Sequence, residues 1–254
     1  MIKQLLLCCF LLSSLFISAQ DNTDNNSETK NASWNFLVEP YLMFPNMKGD
    51  TQIRNIPAVA VDANTSDIFS HLKMGAMLYL EARNEDWAIT SDFVYMKLGE
   101  DVTPNHLVTS GELTVKETLW EVAGLRRILP MLDAGVGLRL VSVGADADLV
   151  LFTSESRQAD ITKTWVDPII IVRSQHIFKD KFLLNLRGDL GGFGIGSEFT
   201  WQIQAEAGYQ FSELFSLNLG YRYIGIDYET GSGTDYFAYD IDTFGPEIRL
   251  GFNF

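Results

Sequence analysis

The chain has 254 residues, 12% of them aromatic, and carries 19 Lys and Arg against 33 Asp and Glu. Its formal net charge of −14 excludes the basic footprint that nucleic-acid binding requires. The only two cysteines, Cys8 and Cys9, stand near the start of the chain.

The first 19 residues are typical of a secretory signal peptide. Lys3 supplies a positive charge, an apolar run extends from Leu5 to Phe16, and Ser18-Ala19 offers small residues for cleavage after Ala19. The run is shorter than the ~20 residues that a helix needs to cross the hydrocarbon core. We therefore expect segment 1–19 to be removed. Because Cys8 and Cys9 leave with it, we expect the mature chain to have no disulfide, thiol chemistry or cysteine metal site.

The segment that follows, residues 20–33, is polar and nearly free of apolar side chains. Such a composition cannot bury a core, so we expect a disordered lead-in located in the periplasm. After it, no stretch approaches 18 consecutive apolar residues, so no transmembrane helix is predicted in the mature chain.

Polar and apolar residues alternate with a period of two from Trp34 to Phe254. The clearest case is Trp201 to Phe211, whose apolar members alternate with Gln202, Gln204, Glu206, Gly208 and Gln210. This pattern is typical of a strand with one apolar and one polar face. Ten such segments are predicted: 34–44, 74–84, 87–98, 114–128, 132–145, 164–178, 181–191, 200–211, 214–228 and 237–254.

The connections between these segments alternate in length. Short turns follow the second, fourth, sixth and eighth segments, whereas the other links are mostly long: 45–73, 99–113, 146–163, 192–199 and 229–236. Short periplasmic turns and longer outer loops characterise antiparallel β-barrels that span the outer membrane. We therefore predict an all-β, antiparallel transmembrane β-barrel over residues 34–254, with both termini in the periplasm. A soluble β-sandwich is the rival architecture. Eight or twelve strands remain alternatives to ten, since residues 51–61 could form a further hairpin.

Short motifs are superimposed on this pattern. They are Pro40-Tyr41-Leu42, Ser66-Asp67-Ile68-Phe69, Glu81-Ala82-Arg83, Trp165-x-Asp167-Pro168, Arg187-Gly188-Asp189-x-Gly191-Gly192-Phe193-Gly194-x-Gly196-Ser197, Thr200-Trp201-Gln202, Gly208-Tyr209 and Gly220-Tyr221-Arg222-Tyr223. Together they resemble a family of uncharacterised outer-membrane β-barrel proteins of Gram-negative bacteria. Thr65 and Val172 depart from the Phe and Gly often found there in the family. The resemblance implies a barrel in the outer membrane and no assigned activity.

If the apolar faces contact lipid, the opposite faces place acidic and arginine side chains in the lumen. These are Glu39, Glu81, Arg83, Asp92, Glu117, Glu121, Arg127, Arg139, Asp167, Arg173, Arg187, Asp189, Glu206, Arg222, Glu247 and Arg249, together with Tyr41. One hypothesis is that they pair with one another and fill a narrow interior, since the arginine fork suits bidentate carboxylate pairing. This interpretation favours a structural or surface role. The alternative is a narrow pore for small polar solutes or ions.

Two connections have distinctive sequences. Residues 62–72 predict a short helix, with Asn64 or Ser66 as N-cap, lying over the outer mouth, inside it, or against the rim. The glycine-rich run 191–196 follows a strand, but another strand comes next and not a helix. That context excludes a phosphate-binding loop and favours a bend or turn at the outer rim.

We expect no enzymatic activity, no cofactor and no metal site. His71, His106 and His176 have no metal-ligand spacing, and Asp101, Asp146, Asp148 and Asp160 fall in outer loops without a spacing that links them. A hydrolase at the outer rim is the remaining alternative.

The expected partners are outer-membrane lipid and the barrel assembly machinery. Phe254, the aromatic residue that ends the last segment, resembles a signal that this machinery recognises. The oligomeric state is left open.

Overall fold

The computed structural model describes residues 33–54, 57–102, 108–151 and 156–254, and these form an all-β structure. Its elements are β1 (Asn35–Met43), β2 (Asn46–Ile53), β3 (Val59–Ala63), α1 (Thr65–Ser70), β4 (Leu72–Arg83), β5 (Trp87–Asp101), β6 (Val108–Leu129), β7 (Leu132–Leu151), β8 (Ser156–Phe178), β9 (Phe182–Gly192), β10 (Phe199–Gln210), β11 (Phe215–Thr230) and β12 (Phe237–Asn253). A single 3₁₀ turn, Gly233–Asp235, precedes β12. In this part of the chain, no helix is long and apolar enough to cross a membrane.

Ten strands close into an antiparallel barrel, as the sequence predicts. The order runs β1, then β4 through β12, and β1 pairs with β12 to close the ring. The closing register includes Leu37 opposite Asn253 and Val38 opposite Phe252. The hairpin of β2 and β3 adds to the far end of β12, with Asn46 opposite Phe244. The possible hairpin at 51–61 therefore exists, displaced toward residue 46, and it extends the wall without widening the ring.

The two rims differ in their connections. Short turns after β4, β6, β8 and β10 lie at one rim, which the usual asymmetry of these barrels assigns to the periplasm. At the opposite, outer rim the strands are longer than the alternation predicts. Most of the expected loops 99–113 and 146–163 is strand, because β6 starts at Val108, β7 ends at Leu151 and β8 starts at Ser156. These extensions are polar on their outward face, so they lack the apolar signal from which strands were predicted.

Side chains on the two faces of the wall differ in polarity. Large apolar residues are exposed on the outside, among them Leu80, Ile89, Leu138, Ile170, Leu186, Ile203, Leu219, Ile248 and Leu250. Buried charged residues such as Arg139, Asp189 and Arg222 point inward. The alternation places the two sets on opposite faces because successive side chains of a strand point in opposite directions.

Candidate functional site

The candidate site is the interior of the barrel, centred on Arg139 of β7, which is fully buried. Arg139 donates to Glu121 of β6 at 2.9 Å, to Asp189 of β9 at 2.6 Å and to Thr200 of β10 at 2.9 Å. Arg187 donates to Asp189 at 2.9 Å and also binds Glu121. Two arginines and two carboxylates thus neutralise one another in a largely buried position, where charges are retained when they are paired and hydrogen-bonded.

A second group crosses the lumen from β11 to β5. Arg222 donates to Asp92 at 3.1 Å and to the Tyr41 hydroxyl at 3.1 Å, while Tyr41 donates to Asp92 at 2.6 Å. Gln202 accepts two bonds from the same guanidinium, at 3.0 and 2.7 Å. Since β11 and β5 are not neighbours in the ring, these bonds connect separated parts of the wall through the interior.

Arg249 of β12 organises a third group. Its guanidinium lies 3.0 Å from Glu206, 3.2 Å from Glu247 and 3.6 Å from Glu39, and it stacks over the Tyr41 ring at 4.1 Å. Gln204 donates to both Glu206 and Glu247, at 2.9 and 2.6 Å. Asn218 donates to Glu39 at 2.9 Å. Amide side chains thus supply donors to the carboxylates that arginines leave incompletely bonded.

The fourth group lies toward the periplasmic rim. Arg173 of β8 binds Glu81 of β4 at 2.5 Å and Asp133 of β7 at 2.8 Å. Arg83 lies 2.9 Å from Glu81 and 3.1 Å from Asp133, and Arg127 lies 3.5 Å from Asp133. Asp133 is absent from the predicted set, although its parity with Arg139 along β7 marks it as inward-facing. We call these four groups together the lumen network.

Two predicted lumen residues point inward but take no part in the arginine pairing. Glu117 accepts a bond from the Tyr239 hydroxyl at 3.3 Å. Asp167, fully buried, accepts bonds from the Ser197 backbone at 2.5 Å and from its hydroxyl at 2.8 Å. The turn before β10 approaches the inside of β8 so closely that a Cβ on Gly196 would lie 2.4 Å from Asp167. The glycine-rich run therefore forms a turn that folds back onto the lumen.

Above the lumen network, the outer half of the interior is apolar. Its residues come from opposite sides of the ring and form one cluster, the outer apolar layer: Leu119, Val141, Trp165, Ile224, Ile226, Phe237, Tyr239 and Ile241. Trp165 of β8 stacks on Tyr228 of β11 with ring centroids 3.8 Å apart and an interplanar angle of 2°. The opposing walls are thus in contact at this level.

Below the lumen network, the periplasmic end opens into a vestibule of about 650 Å³. Glu39, Glu81 and Arg83 are among the residues that line it. A further cavity of only about 50 Å³ lies within the lumen network, with Arg173, Arg187 and Arg249 among its lining residues, so the space narrows there.

Residues considered for catalysis lie elsewhere. Asp146, Asp148 and Asp160 share the outward face of β7 and β8, where Asp146 is directly opposite Asp160 and binds Lys116 at 2.6 Å. His71 bonds the Asp67 carbonyl at 2.7 Å, and His176 bonds Ser174 at 3.0 Å. His106 lies outside the described residues. Within those residues, no group of three His, Cys, Asp or Glu side chains is arranged to hold a metal ion.

Another acidic cluster, which the sequence did not signal, lies at the outer end of β12. Asp240 is opposite Asp227 of β11 on one side and opposite Asp50 of β2 on the other. Asp242 lies on the same face. The pKa of Asp240 is raised above its ordinary value by burial and by Asp227, Asp242 and Asp50.

Aromatic side chains mark both borders of the apolar outer face. Trp201, Tyr223 and Phe244 stack at one border, with centroid separations of 4.8 and 5.1 Å. Tyr209 and Phe211 contact at 4.9 Å at the other. Between Trp201 and Phe211 the strand rises roughly 33 Å, or about 25 Å of height at a tilt of ~40°, which matches the apolar band of a membrane barrel.

A closed barrel that is apolar outside, charged inside and bordered by aromatic rings is a transmembrane β-barrel, and its place is the cell outer membrane. The outer membrane protease OmpT of Escherichia coli shares this fold, with a TM-score of 0.54 and 8% identity over 89% of this chain and 99% of OmpT. The Yersinia pestis attachment invasion locus protein Ail gives a TM-score of 0.35 at 11% identity, over 88% of this chain and 99% of Ail, too low to add to the assignment. No protein-family model matches the chain, and no curated protein matches it.

Proposed function

We propose that the chain is a structural barrel of the outer membrane that closes its own lumen and presents rigid strand extensions at the cell surface. The observation that carries the proposal is the complete burial of Arg139 between Glu121 and Asp189. An arginine in a water-filled channel keeps part of its surface hydrated, whereas this one is fully buried and its two terminal nitrogens bond Thr200, Glu121 and Asp189.

Two barriers in series support closure. A solute entering the vestibule first meets the lumen network, where separating a buried ion pair leaves an uncompensated charge at a cost of about 3–5 kcal/mol. It then meets the outer apolar layer, in which Trp165 and Tyr228 stack across the interior. The Trp165 indole and the Tyr239 hydroxyl in this layer are already bonded, to Ser197 and Glu117, so passage of a polar solute would require the two walls to separate.

The strand extensions support a surface role. β6, β7 and β8 continue past the apolar band and turn a polar face outward, with Lys116 bound to Asp146 at 2.6 Å. Paired strands hold such a surface more rigidly than an irregular loop.

The proposal includes contacts with outer-membrane lipid and with the barrel assembly machinery, and no catalytic step. It also includes membership in the family of uncharacterised outer-membrane barrels, because Asp167 and Ser197, which belong to two motifs of the resemblance, contact each other.

The second candidate, a narrow pore, is favoured by one feature, the vestibule of about 650 Å³ at the periplasmic end. Conductance in planar bilayers separates the two candidates. We expect the purified protein to insert without steady conductance steps. A double variant, Arg139→Ala with Trp165→Ala, removes one residue from each barrier and should produce steps or open-channel noise. Reproducible ohmic steps from the unaltered protein would contradict closure and establish the pore.

A further inference from the structure

The wall of the barrel has a seam at its outer end, between β1 and β4. Over the described residues, the two strands pair from Asn35 opposite Arg83 as far as Pro40 opposite Leu78, and no further. Beyond that point β1 follows β12, with Met43 opposite Glu247, while β4 follows β5, with Gly75 opposite Met96. The Met43 amide, left without a carbonyl on β4, points at the Met77 sulfur at 3.3 Å.

Helix α1 lies beside this seam. Its N-cap, Asn64, forms a capping box with Asp67, and Thr65 bonds the carbonyls of Phe44 and Pro45 at 3.2 and 3.0 Å. Phe69 stacks on Phe44 with centroids 5.5 Å apart. The helix therefore packs against the residues that directly follow β1, and it lies at the wall of the barrel.

Between the strands and the helix lies an apolar cavity of about 130 Å³. Engineered apolar cavities of roughly 150 Å³ stay dry and bind benzene, so this volume accommodates a comparable apolar group. Its lining combines both faces of the wall. Leu42, Ala76 and Tyr95 have the parity of the lipid face, whereas Met43, Met77 and Met96 have the parity of the lumen. The cavity therefore extends into the thickness of the wall.

The surroundings of the cavity identify its occupant. Leu42 is 43% exposed on the outer face of the wall, and Lys97, the next outward residue of β5 after Tyr95, marks the end of the apolar band. The cavity thus opens where the outer leaflet meets the protein. Methionine side chains adapt to flexible apolar ligands, and no charged side chain lines the cavity. Because the medium at its mouth is hydrocarbon, an acyl chain enters without losing contact with an apolar environment.

We propose that this seam is a binding site for a single hydrocarbon chain, supplied by a lipid or fatty acid of the outer membrane and inserted sideways between β1 and β4. The chain end reaches Met43, Met77 and Met96 on the lumenal side of the wall. This role goes beyond the structural one proposed above and does not depend on whether the lumen conducts.

Photolabelling tests the site. The purified barrel in lipid nanodiscs is irradiated with palmitic acid carrying a diazirine near its methyl end, and the labelled residues are mapped by mass spectrometry. We expect labels on Met43, Met77 or Met96, which the bilayer reaches only through the seam, and competition by excess palmitic acid. Labels confined to outward residues such as Leu42 and Tyr95, without competition, would overturn the proposal.

A matched pair of glycine variants assigns the labelling to the cavity. A Cβ on Gly75 meets Leu72 and Tyr95 only at 3.8 Å or more, so Gly75→Leu fits the backbone and fills the cavity. Gly124, whose Cβ meets nothing within 4 Å, provides the control Gly124→Leu on the lipid face. We expect Gly75→Leu to lower labelling of the inward methionines about tenfold, equivalent to about 1.4 kcal/mol, and Gly124→Leu to leave it unchanged. Equal labelling of the two variants contradicts the proposal.

Cysteine pairs test the seam even if Gly75→Leu does not fold. Val38 and Leu80 are paired, and continuing that register places Leu42 opposite Ala76 with the same parity. Upon oxidation, Val38→Cys with Leu80→Cys should form a disulfide, whereas Leu42→Cys with Ala76→Cys should require a longer bifunctional crosslinker, because a disulfide needs Cα atoms within about 7 Å. Equally ready disulfide formation by both pairs would show that the seam is closed and overturn the site.

Discussion

Ser197 donates two hydrogen bonds to Asp167, one from its backbone N–H at 2.5 Å and one from its hydroxyl at 2.8 Å. The same hydroxyl accepts a bond from the Trp165 indole at 2.9 Å. The contact joins the turn before β10 to the inside of β8, and all three residues are buried. It gives a physical reason for two motifs of the sequence, Trp165-x-Asp167 and Gly196-Ser197, to occur together.

Replacing Ser197 tests whether these hydrogen bonds hold the turn in place. Ser197→Ala leaves one Asp167 oxygen and the Trp165 N–H without a partner, and a buried polar group left unpaired costs about 1–3 kcal/mol. We expect a lower unfolding midpoint in urea, followed by tryptophan fluorescence in detergent micelles. Glu198→Ala, at the exposed neighbouring position, should change the midpoint little. A Ser197→Ala midpoint equal to that of the unaltered chain would mean that the turn is not held by these bonds.

Arg139 offers a second test of the interior. Arg139→Met keeps much of the side-chain volume but leaves Glu121 and Asp189 buried with less compensation, so we expect a loss of about 3–5 kcal/mol. Heat modifiability on gels and urea unfolding report the loss. Arg126, on the outer face over the Trp87 ring, supplies the control Arg126→Met, for which we expect a change below about 1 kcal/mol. Similar losses for the two variants would contradict the special position of Arg139.

The strands of the barrel wall were predictable because the same alternation of polar and apolar residues repeats along the chain. All ten segments found by alternation are strands, and in the membrane band their ends fall within two residues of the predicted bounds at the short-turn rim. The signal disappears outside the band. Residues 110–113 and 146–148 turn polar side chains outward, so the apolar outward face that marks the strands in the membrane band is missing there, although the strands continue.

The interior was less predictable than the wall. Ile169, Ile170, Ile171 and Val172 form a continuous apolar run, so alternation is lost there, and only the parity with Asp167 and Arg173 indicates that Ile169 and Ile171 point inward. Parity identifies which residues face the lumen but not which of them meet. Arg139 lies opposite Asp167 in the register of β7 and β8, yet it binds Glu121 and Asp189 while Asp167 binds Ser197. Which partner each of these residues binds depends on the folded turn before β10 and on contacts between strands that are distant in sequence.

The acidic cluster at the outer end of β12 predicts a dependence of stability on pH. Burial and the neighbouring Asp227, Asp242 and Asp50 raise the pKa of Asp240 above its ordinary value of 3.8. Since the folded state binds the proton more tightly than the unfolded state, stability falls as the pH rises from about 3.8 through the raised pKa. Asp240→Asn removes this effect, and relief of directly opposed like charges is worth roughly 0.2–1 kcal/mol per pair.

We therefore expect Asp240→Asn to be more stable than the unaltered chain near neutral pH and equal to it at about pH 3, below the ordinary carboxyl pKa. Thermal unfolding followed by circular dichroism across this range measures the difference. Glu213→Gln, at an exposed turn on the periplasmic rim, serves as the control and should show no such divergence. A constant difference between Asp240→Asn and the unaltered chain at every pH would exclude titration as the cause.

The central claim is that one face of the wall meets lipid and the other encloses a closed, dry interior. Four alanines allow a direct test because Cys is nearly as small as Ala. Ala88 and Ala123 are inward and buried, whereas Ala205 and Ala207 lie on the outward face of β10. Each is changed to Cys in a chain starting after residue 19, which contains no other cysteine.

The measurement is the reaction of each cysteine with a charged, water-soluble thiol reagent and with a lipophilic maleimide, in proteoliposomes. We predict that the charged reagent reacts at none of the four positions, and that the lipophilic one reacts at 205 and 207 only. Reaction of the charged reagent at 88 and 123 would reveal a water-filled lumen, and its reaction at 205 and 207 would contradict the membrane barrel itself.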